Sequence, residues 1–213
     1  MEGSILISPT DEKIVVARSW IVYIPFRAPI NWASGARSGT TRVIVEIETE
    51  GGVKGYGESI SLLDFVPNVL DKTILPRLKG WPVYDTEGFH RYIMGAGYYH
   101  HKRAAVMALC AAEMAMWDAI GKIARMPLYR LWGGLYRKSI EMVCYLFISD
   151  PDALAKSARS AYDEGYRSFK LKIGLDPEQD IAIVRAVREE LGPGVHLRAD
   201  VNGAWTIGTA KRQ

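Results

Sequence analysis

The chain has 213 residues, 48% of them hydrophobic and 24% charged, with a formal net charge of +3. This is the balance of an ordinary globular protein with one large or two modest cores; Lys and Arg are scattered among acids, which argues against nucleic-acid and membrane partners. The opening MEGSILISPTDEKIVV lacks a basic start before an apolar core, so a cytoplasmic location is expected, and Cys110 and Cys144, in apolar stretches without metal-ligand spacing, read as buried free thiols of a reducing compartment.

The first third predicts β structure. Ile14–Tyr23 is rich in β-branched and aromatic residues, and Thr41–Thr49 alternates into Glu50-Gly51-Gly52 and then Val53–Glu58, the pattern of an antiparallel hairpin. Between them, Pro25–Thr40 is rich in Gly, Pro, Ser and Asn and predicts a mobile loop. Helices are expected over Val66–Leu75 and Thr86–Met94, and over Lys102–Ala124, which is Ala-rich and apolar nearly all round, as a buried helix is. Its apolar stretch Ala104–Ala112, interrupted by Glu113 and Asp118, is too short to span a bilayer. Pro127 closes that helix and Gly133-Gly134 marks a boundary.

Beyond the boundary the pattern alternates. Strands are expected at Ser139–Ile148, Ser168–Ile173 and Val195–Val201, and helices at Pro151–Glu164, capped by Asp150, at Pro177–Leu191, and starting near Thr206. Strand–helix–strand with short connections implies parallel strands and right-handed crossovers. Residues 1–135 are therefore expected to form an α+β domain, and residues 136–213 the first three β/α units of a (β/α) arrangement.

Two of these strands carry the chemistry. In Ser168–Ile173, Phe169, Leu171 and Ile173 share one face, with Ser168, Lys170 and Lys172 on the other. In the next strand Leu197, Ala199 and Val201 oppose His196, Arg198, Asp200 and Asn202. Parallel strands are normally apolar on both faces. A half-exposed antiparallel strand with solvated lysines would alternate in the same way. The recurrence at the C-terminal ends of consecutive strands instead favours a functional site.

RSFKLKIG followed by LRADVNGAW, with the earlier Gly55-Tyr56-Gly57-Glu58 and AAEMAMWDAIGKIARMPLYRLWGG, resembles the mandelate racemase / muconate-lactonizing branch of the enolase superfamily over essentially the whole chain. The resemblance implies an α+β capping domain over a TIM-like (β/α) barrel, and Mg²⁺-dependent removal of the proton α to a carboxylate through an enediolate. It implies Lys172 as the base, and Lys170 as a contact to the substrate carboxylate whose charge lowers the pKa of Lys172. It also implies Asp200 as a metal ligand and Asn202 beside substrate or metal-bound water. Phe26 and Trp32, in the cap loop, are expected to contact substrate, and Glu58 to be structural or interdomain.

The resemblance also implies two further acidic metal ligands and a second acid/base, which these 213 residues do not provide, so the barrel is expected to be incomplete. A full barrel takes roughly 250 residues. The chain is thus expected to be the N-terminal portion of a longer enzyme, with an open-edged sheet prone to aggregation alone. The parent is expected to be a homo-oligomer acting on a small carboxylate. The KxK pair with DVN, and PFRAP, favour a muconate cycloisomerase-like isomerase or lyase. The alternatives are an acid-sugar dehydratase, a dipeptide epimerase or racemase, and a non-catalytic remnant or interaction module.

Other motifs have plainer explanations. Gly52-Val-Lys-Gly55-Tyr-Gly57 has the wrong spacing and setting for a phosphate loop. Tyr98-Tyr99-His100-His101 is a loop-to-helix junction rather than a metal site, because adjacent histidines point apart. His196, at a strand's N-terminal end, is expected to be a core hydrogen-bonding residue, and Trp117 and Asp118 to pack and pair between domains.

Overall fold

A computed structural model describes residues 12–61, 63–95 and 102–213. Three strands open the fold: β1 (Ile14–Trp32), β2 (Gly35–Thr49) and β3 (Lys54–Ile60), hydrogen-bonded in the order β1-β2-β3. β2 and β3 are antiparallel, with Val45 opposite Gly57 and Ile47 opposite Gly55. The segment Pro25–Thr40 is not a loop: it is the outer reach of β1 and β2, turning at Ala33-Ser34. Composition misled here because β1 is an edge strand, where Pro25 and Pro29 can sit without taking a donor from a ladder.

The pleat puts Val43, Val45 and Ile47 on the buried face of β2, beside the buried Gly55 and Gly57 of β3. Against β3 lies α4 (Lys102–Ile123), presenting Ala111, Ala115 and Ala119. The approach is backbone to backbone, since a Cβ on Gly57 would stand 1.9 Å from the Ala111 carbonyl oxygen and one on Gly55 2.0 Å from that of Ala115. Alternate glycines facing an alanine helix are thus the packing device of this unit. At 22 residues α4 is long and apolar enough to cross a membrane by length and composition, contrary to the reading of Ala104–Ala112 alone. Its alanines are nonetheless buried in the protein core with Val66, Leu70, Ile74, Phe89 and Ile93.

Those partners come from α1 (Phe65–Val69), which passes through a π-helical turn at Leu70–Ile74 into α2 (Leu75–Leu78), and from α3 (Thr86–Gly95). The widened turn precedes Pro76, which has no N–H to continue the regular ladder. A short α5 (Leu128–Leu131) follows Pro127.

The second sheet is fully parallel: β4 (Val143–Leu146), β5 (Ser168–Lys172) and β6 (His196–Asp200) in the order β4-β5-β6. The joining helices are α6 (Pro151–Asp163) and α7 (Pro177–Leu191), with α8 (Ile207–Arg212) after β6. Asp150 and Asp176 accept hydrogen bonds from the first free N–H groups of α6 and α7, and a proline follows each cap at the first helical position. Such a sheet with its crossover helices fits part of a (β/α) barrel. β4 is shorter than the Ser139–Ile148 expectation.

The chain forms two compact units: one runs up to Ile24 and again from Thr41 to Tyr136, and the other joins Pro25–Thr40 to Arg137–Gln213. In the second unit the Ile148 N–H donates to the Asn31 carbonyl at 3.0 Å, which ties the β1–β2 tip to the segment after β4. Its core gathers Phe169, Leu171 and Ile173 with Leu154, Ile183, Val187 and Leu191.

Several burial expectations, those for His196, Ala199 and the cysteines, fail for one reason, exposure. His196 is exposed rather than a core residue, and Ala199 on the supposed apolar face is exposed too, because β6 is an edge strand of this sheet. Cys110 is exposed and Cys144 half-buried; both are free thiols, and burial first, then Glu164, pushes the Cys144 thiol up. Trp117 and Asp118 have partners within the first unit. Trp117 packs edge-on against Trp132 at 5.4 Å, and Asp118 accepts from the Tyr56 N–H and Lys122. Glu58 is exposed on β3.

Candidate active site at the strand ends

The alternation of β5 buries Phe169 and Leu171 and leaves Lys170 and Lys172 half-buried on the opposite face. The parallel register sets Lys170 beside Arg198 and Lys172 beside Asp200. Both lysines reach one oxygen. Nζ of Lys172 lies 2.7 Å and Nζ of Lys170 2.8 Å from Oδ2 of Asp200. Lys172 also donates to Oδ1 of Asn202 at 2.9 Å.

Just past β6 the backbone turns, with Asn202 in the left-handed region (φ +47°), where asparagine is among the better tolerated residues. That turn directs the Asn202 N–H to Oδ1 of Asp200 at 3.0 Å. Asp200 therefore accepts from two ammonium groups and one backbone N–H. Hydrogen bonds from Lys170, then Lys172, then the Asn202 backbone hold its carboxyl far below the usual carboxylate range. In turn, the Asp200 hydrogen bond raises the pKa of Lys170. The Lys170 ammonium also stands 5.1 Å from the centre of the Tyr145 ring, a cation–π contact from the neighbouring strand.

Beside this cluster is a cavity of about 250 Å³ lined by Phe26, Ile30, Trp32 and Arg37 of the β1–β2 tip, with Phe147, Lys172 and Asn202. Every sequence-predicted site residue is accounted for here. Lys170, Lys172, Asp200 and Asn202 converge in one hydrogen-bonded group, and Phe26 and Trp32 line the cavity that Lys172 and Asn202 also line. Arg37, Ile30, Phe147 and Tyr145 were missed. Arg37 and Ile30 lay in a segment read as loop, and the aromatic alternation of Tyr145 and Phe147 was the available signal.

One more residue shapes the site from behind. Asp180, in the first turn of α7, is buried, and its carboxylate bridges two loops. Oδ1 accepts from the Gly174 N–H after β5 at 2.8 Å, and Oδ2 from Nε1 of Trp205 after β6 at 3.1 Å. Its signal was an acid placed where the helix periodicity of Ile183, Val187 and Leu191 calls for an apolar residue.

The donor set bears on a divalent cation. Asp200 offers hard carboxylate oxygens of the kind Mg²⁺ takes. Among the described residues no three His, Cys, Asp or Glu side chains cluster as a metal site. Asp200 thus fits as one ligand of a larger set. Tyr98–His101, considered and set aside as a metal site on sequence, lie outside the described residues.

Known proteins share this fold. Residues 15–133 match the mandelate racemase / muconate lactonizing enzyme N-terminal domain, and residues 153–213 the enolase C-terminal domain-like family. The chain belongs to the mandelate racemase / muconate lactonizing enzyme family of the enolase superfamily.

It is 30% identical to the N-succinyl-L-Arg/Lys racemase of Bacillus cereus over 91% of this chain and 53% of the relative. It superposes with a TM-score of 0.83 on the dipeptide epimerase of Enterococcus faecalis complexed with Mg and L-Leu-L-Tyr, at 29% identity over 94% of this chain and 56% of that one. On the muconate lactonizing enzyme of Pseudomonas fluorescens complexed with muconolactone, the TM-score is 0.87 at 26% identity, over 95% and 56% of the two chains. The chain spans about half the length of the curated relatives it matches. Those relatives are racemases, epimerases, dehydratases and cycloisomerases, of a superfamily whose general chemistry is Mg²⁺-dependent proton abstraction.

Proposed function

We propose that this chain carries the base and one metal ligand of an enzyme that removes a proton α to a carboxylate, as a muconate cycloisomerase-like isomerase or lyase. The observation that supports the reading is the convergence of Lys170, Lys172, Asp200 and Asn202 at the C-terminal ends of adjacent parallel strands.

In this reading Lys172, as the free amine, takes the α proton at Nζ and becomes an ammonium. Asp200 and Asn202, 2.7 and 2.9 Å away, are placed to accept hydrogen bonds from the cation so formed. Lys170 holds the substrate carboxylate through its own ammonium, which Tyr145 faces. Phe26, Trp32 and Phe147 exclude water from the reacting carbon and pack the substrate body. Asp200 would be one ligand to Mg²⁺, which when bound supplies positive charge against the carboxylate of the deprotonated substrate. A barrel closed by further strands belongs to the same proposal. A second reading, racemisation or epimerisation of an N-acylated amino acid or dipeptide, draws support from the 30%-identical racemase and from a lysine pair able to act at an α carbon.

Exchange of α protons in heavy water tests the reading, with Mg²⁺ and a panel of diacids, N-acyl amino acids, dipeptides and acid sugars. It is run on residues 1–213 and on any longer product of the same reading frame. Exchange on one substrate class is expected, and K172M should slow it by roughly 10²–10⁴-fold, the worth of a positioned base. Exchange by K172M at the unmodified rate would overturn the assignment.

A further inference from the structure

Helix α4 buries its alanine side in the core of the first unit and leaves a second stripe uncovered. About 3.6 residues per turn put Arg103, Val106, Cys110, Met114 and Trp117 on one line along the helix. Arg103 and Cys110 are exposed, and Val106 and Met114 stay 42% and 44% exposed. The stripe differs at its two ends. At the N-terminal end stand Lys102 and Arg103, and among the described residues no carboxylate pairs with either. The C-terminal half borders a hollow of about 420 Å³ lined by Glu113, Met114, Trp117, Asp118, Leu128 and Trp132. Lys122 and the Tyr56 N–H already engage Asp118, at 2.6 and 2.8 Å. The carboxylate of Glu113 is held more loosely, with the His90 imidazole 3.7 Å away.

One end of the stripe is therefore cationic, and the other is an aromatic hollow with a carboxylate at its rim. A second α4 laid antiparallel and centred on Cys110 matches these ends twice over. Residues equally far from Cys110 in sequence then face one another, so that Val106 meets Met114 and Arg103 meets Trp117. The guanidinium of Arg103 enters the hollow beside Glu113, where it finds both a ring face and an opposite charge. Parallel docking would instead set Arg103 against Arg103 and Glu113 against Glu113, and would leave both hollows without a cation.

We propose that the exposed stripe of α4 is a self-docking surface, on which two copies of this chain pair antiparallel about Cys110, each placing Arg103 in the other's Trp117–Trp132 hollow. The surface is separate from the chemistry at the strand ends and does not depend on it. From Arg103 to Trp117 the helix spans ~21 Å, which puts the contact at the small end of specific interfaces. A weak pair is expected, with a Kd of ~10 µM.

Sedimentation velocity of residues 1–213, over concentrations spanning that Kd, tests this. The chain is expected to pass from monomer to dimer. Arg103→Glu and Glu113→Arg should each weaken the dimer about tenfold, because each sets like charges together at both ends of the pair. Arg103 is exposed and Glu113 half-buried at the surface, so both variants should keep the parent's melting temperature. An equal mixture of the two should regain the parent's affinity, since each variant finds its opposite charge in the other. A short bismaleimide should join parent chains through Cys110, and Cys110→Ser should abolish that cross-link while leaving the dimer intact.

A chain that stays monomeric throughout would overturn the proposal. So would a dimer indifferent to R103E, the behaviour of copies joined through the open edge of β6. Folded variants that weaken the dimer but fail to complement each other would overturn the antiparallel pairing, as would a cross-link that survives C110S.

Discussion

Replacing Asp180 should loosen both loops that carry the candidate site, and the structure sets the size of the effect. The carboxylate is 2% exposed and makes two hydrogen bonds, to the Gly174 N–H at 2.8 Å and to the Trp205 indole N–H at 3.1 Å. Hydrogen bonds to a charged acceptor contribute ~1.5–3 kcal/mol each. Asp180→Asn keeps one acceptor oxygen and turns an NH₂ toward the other donor, so one bond is lost and the variant should be less stable by ~2 kcal/mol. Asp180→Leu leaves the part-buried N–H groups of Gly174 and Trp205 without their acceptor, and should cost ~3 kcal/mol.

Urea unfolding, with the Trp205 indole N–H followed by NMR, measures both consequences. The midpoint should fall without a change in m, and the indole resonance should shift on loss of its charged acceptor. Gly174 has φ +112°, and a Cβ there would stand 3.0 Å from the Val201 carbonyl oxygen, so the two loops touch directly. Movement at Asp180 should therefore reach Lys172 and Asn202 and lower proton exchange in the full assay. If D180N unfolds within 0.5 kcal/mol of the parent with an unmoved indole signal, the bridge contributes nothing and this account of the loops fails.

Other outcomes follow from the same packing. Gly57→Ala would put a Cβ 1.9 Å from the Ala111 carbonyl oxygen, and this clash with backbone should cost upward of ~2 kcal/mol in thermal or urea unfolding. Gly194→Ala, with open space around its Cβ, should be nearly neutral and serves as the control.

Glu46 is buried on β2. Burial alone would raise its pKa, but hydrogen bonds from Tyr56 and Arg18 and the charges of Arg18 and Lys54 outweigh it, and the net shift is downward. A depressed folded-state pKa stabilises above the unfolded value near 4.5 and loses that contribution as pH falls through the folded value. The melting temperature of the unsubstituted chain should therefore drop in acid more steeply than that of Glu46→Gln, and parallel profiles would refute the argument. Asp150→Ala removes an acceptor from the Asp152 and Ala153 N–H groups and should cost ~1 kcal/mol by urea unfolding.

How much of this was readable depends on where the deciding interactions lie. The β5 alternation and the spacing from Lys172 to Asp200 are local, so period-two reasoning placed Phe169 and Leu171 inside and both lysines on the other face. Capping at Asp150 and Asp176 is local in the same way. The β1–β2 tip was misread because Pro25, Pro29, Gly35 and Ser38 have turn composition, while the segment's state is set by which strand lies at the edge, a property of the whole sheet. His196 and Ala199 were misjudged on similar grounds, since an edge strand lacks one neighbour to cover it. Gly55 and Gly57 show the intermediate case: the pattern is visible, but its reason, the alanine helix on top of it, appears only with the partner in place.

The electrostatics of the strand ends narrow what can bind there. The Lys170 ammonium and the Asp200 carboxylate balance one another, and Lys172 adds a positive charge only while it holds a proton. Apolar walls weaken solvent screening, so these charges act more strongly as water leaves the cavity. A divalent cation at Asp200 would compete with Lys170 and Lys172 for Oδ2, which would release the amines toward an anionic substrate. Magnesium and a carboxylate should then bind with positive coupling. Titrating adipate at rising Mg²⁺ measures it, and affinity that stays flat or falls would show that the carboxylate is held elsewhere.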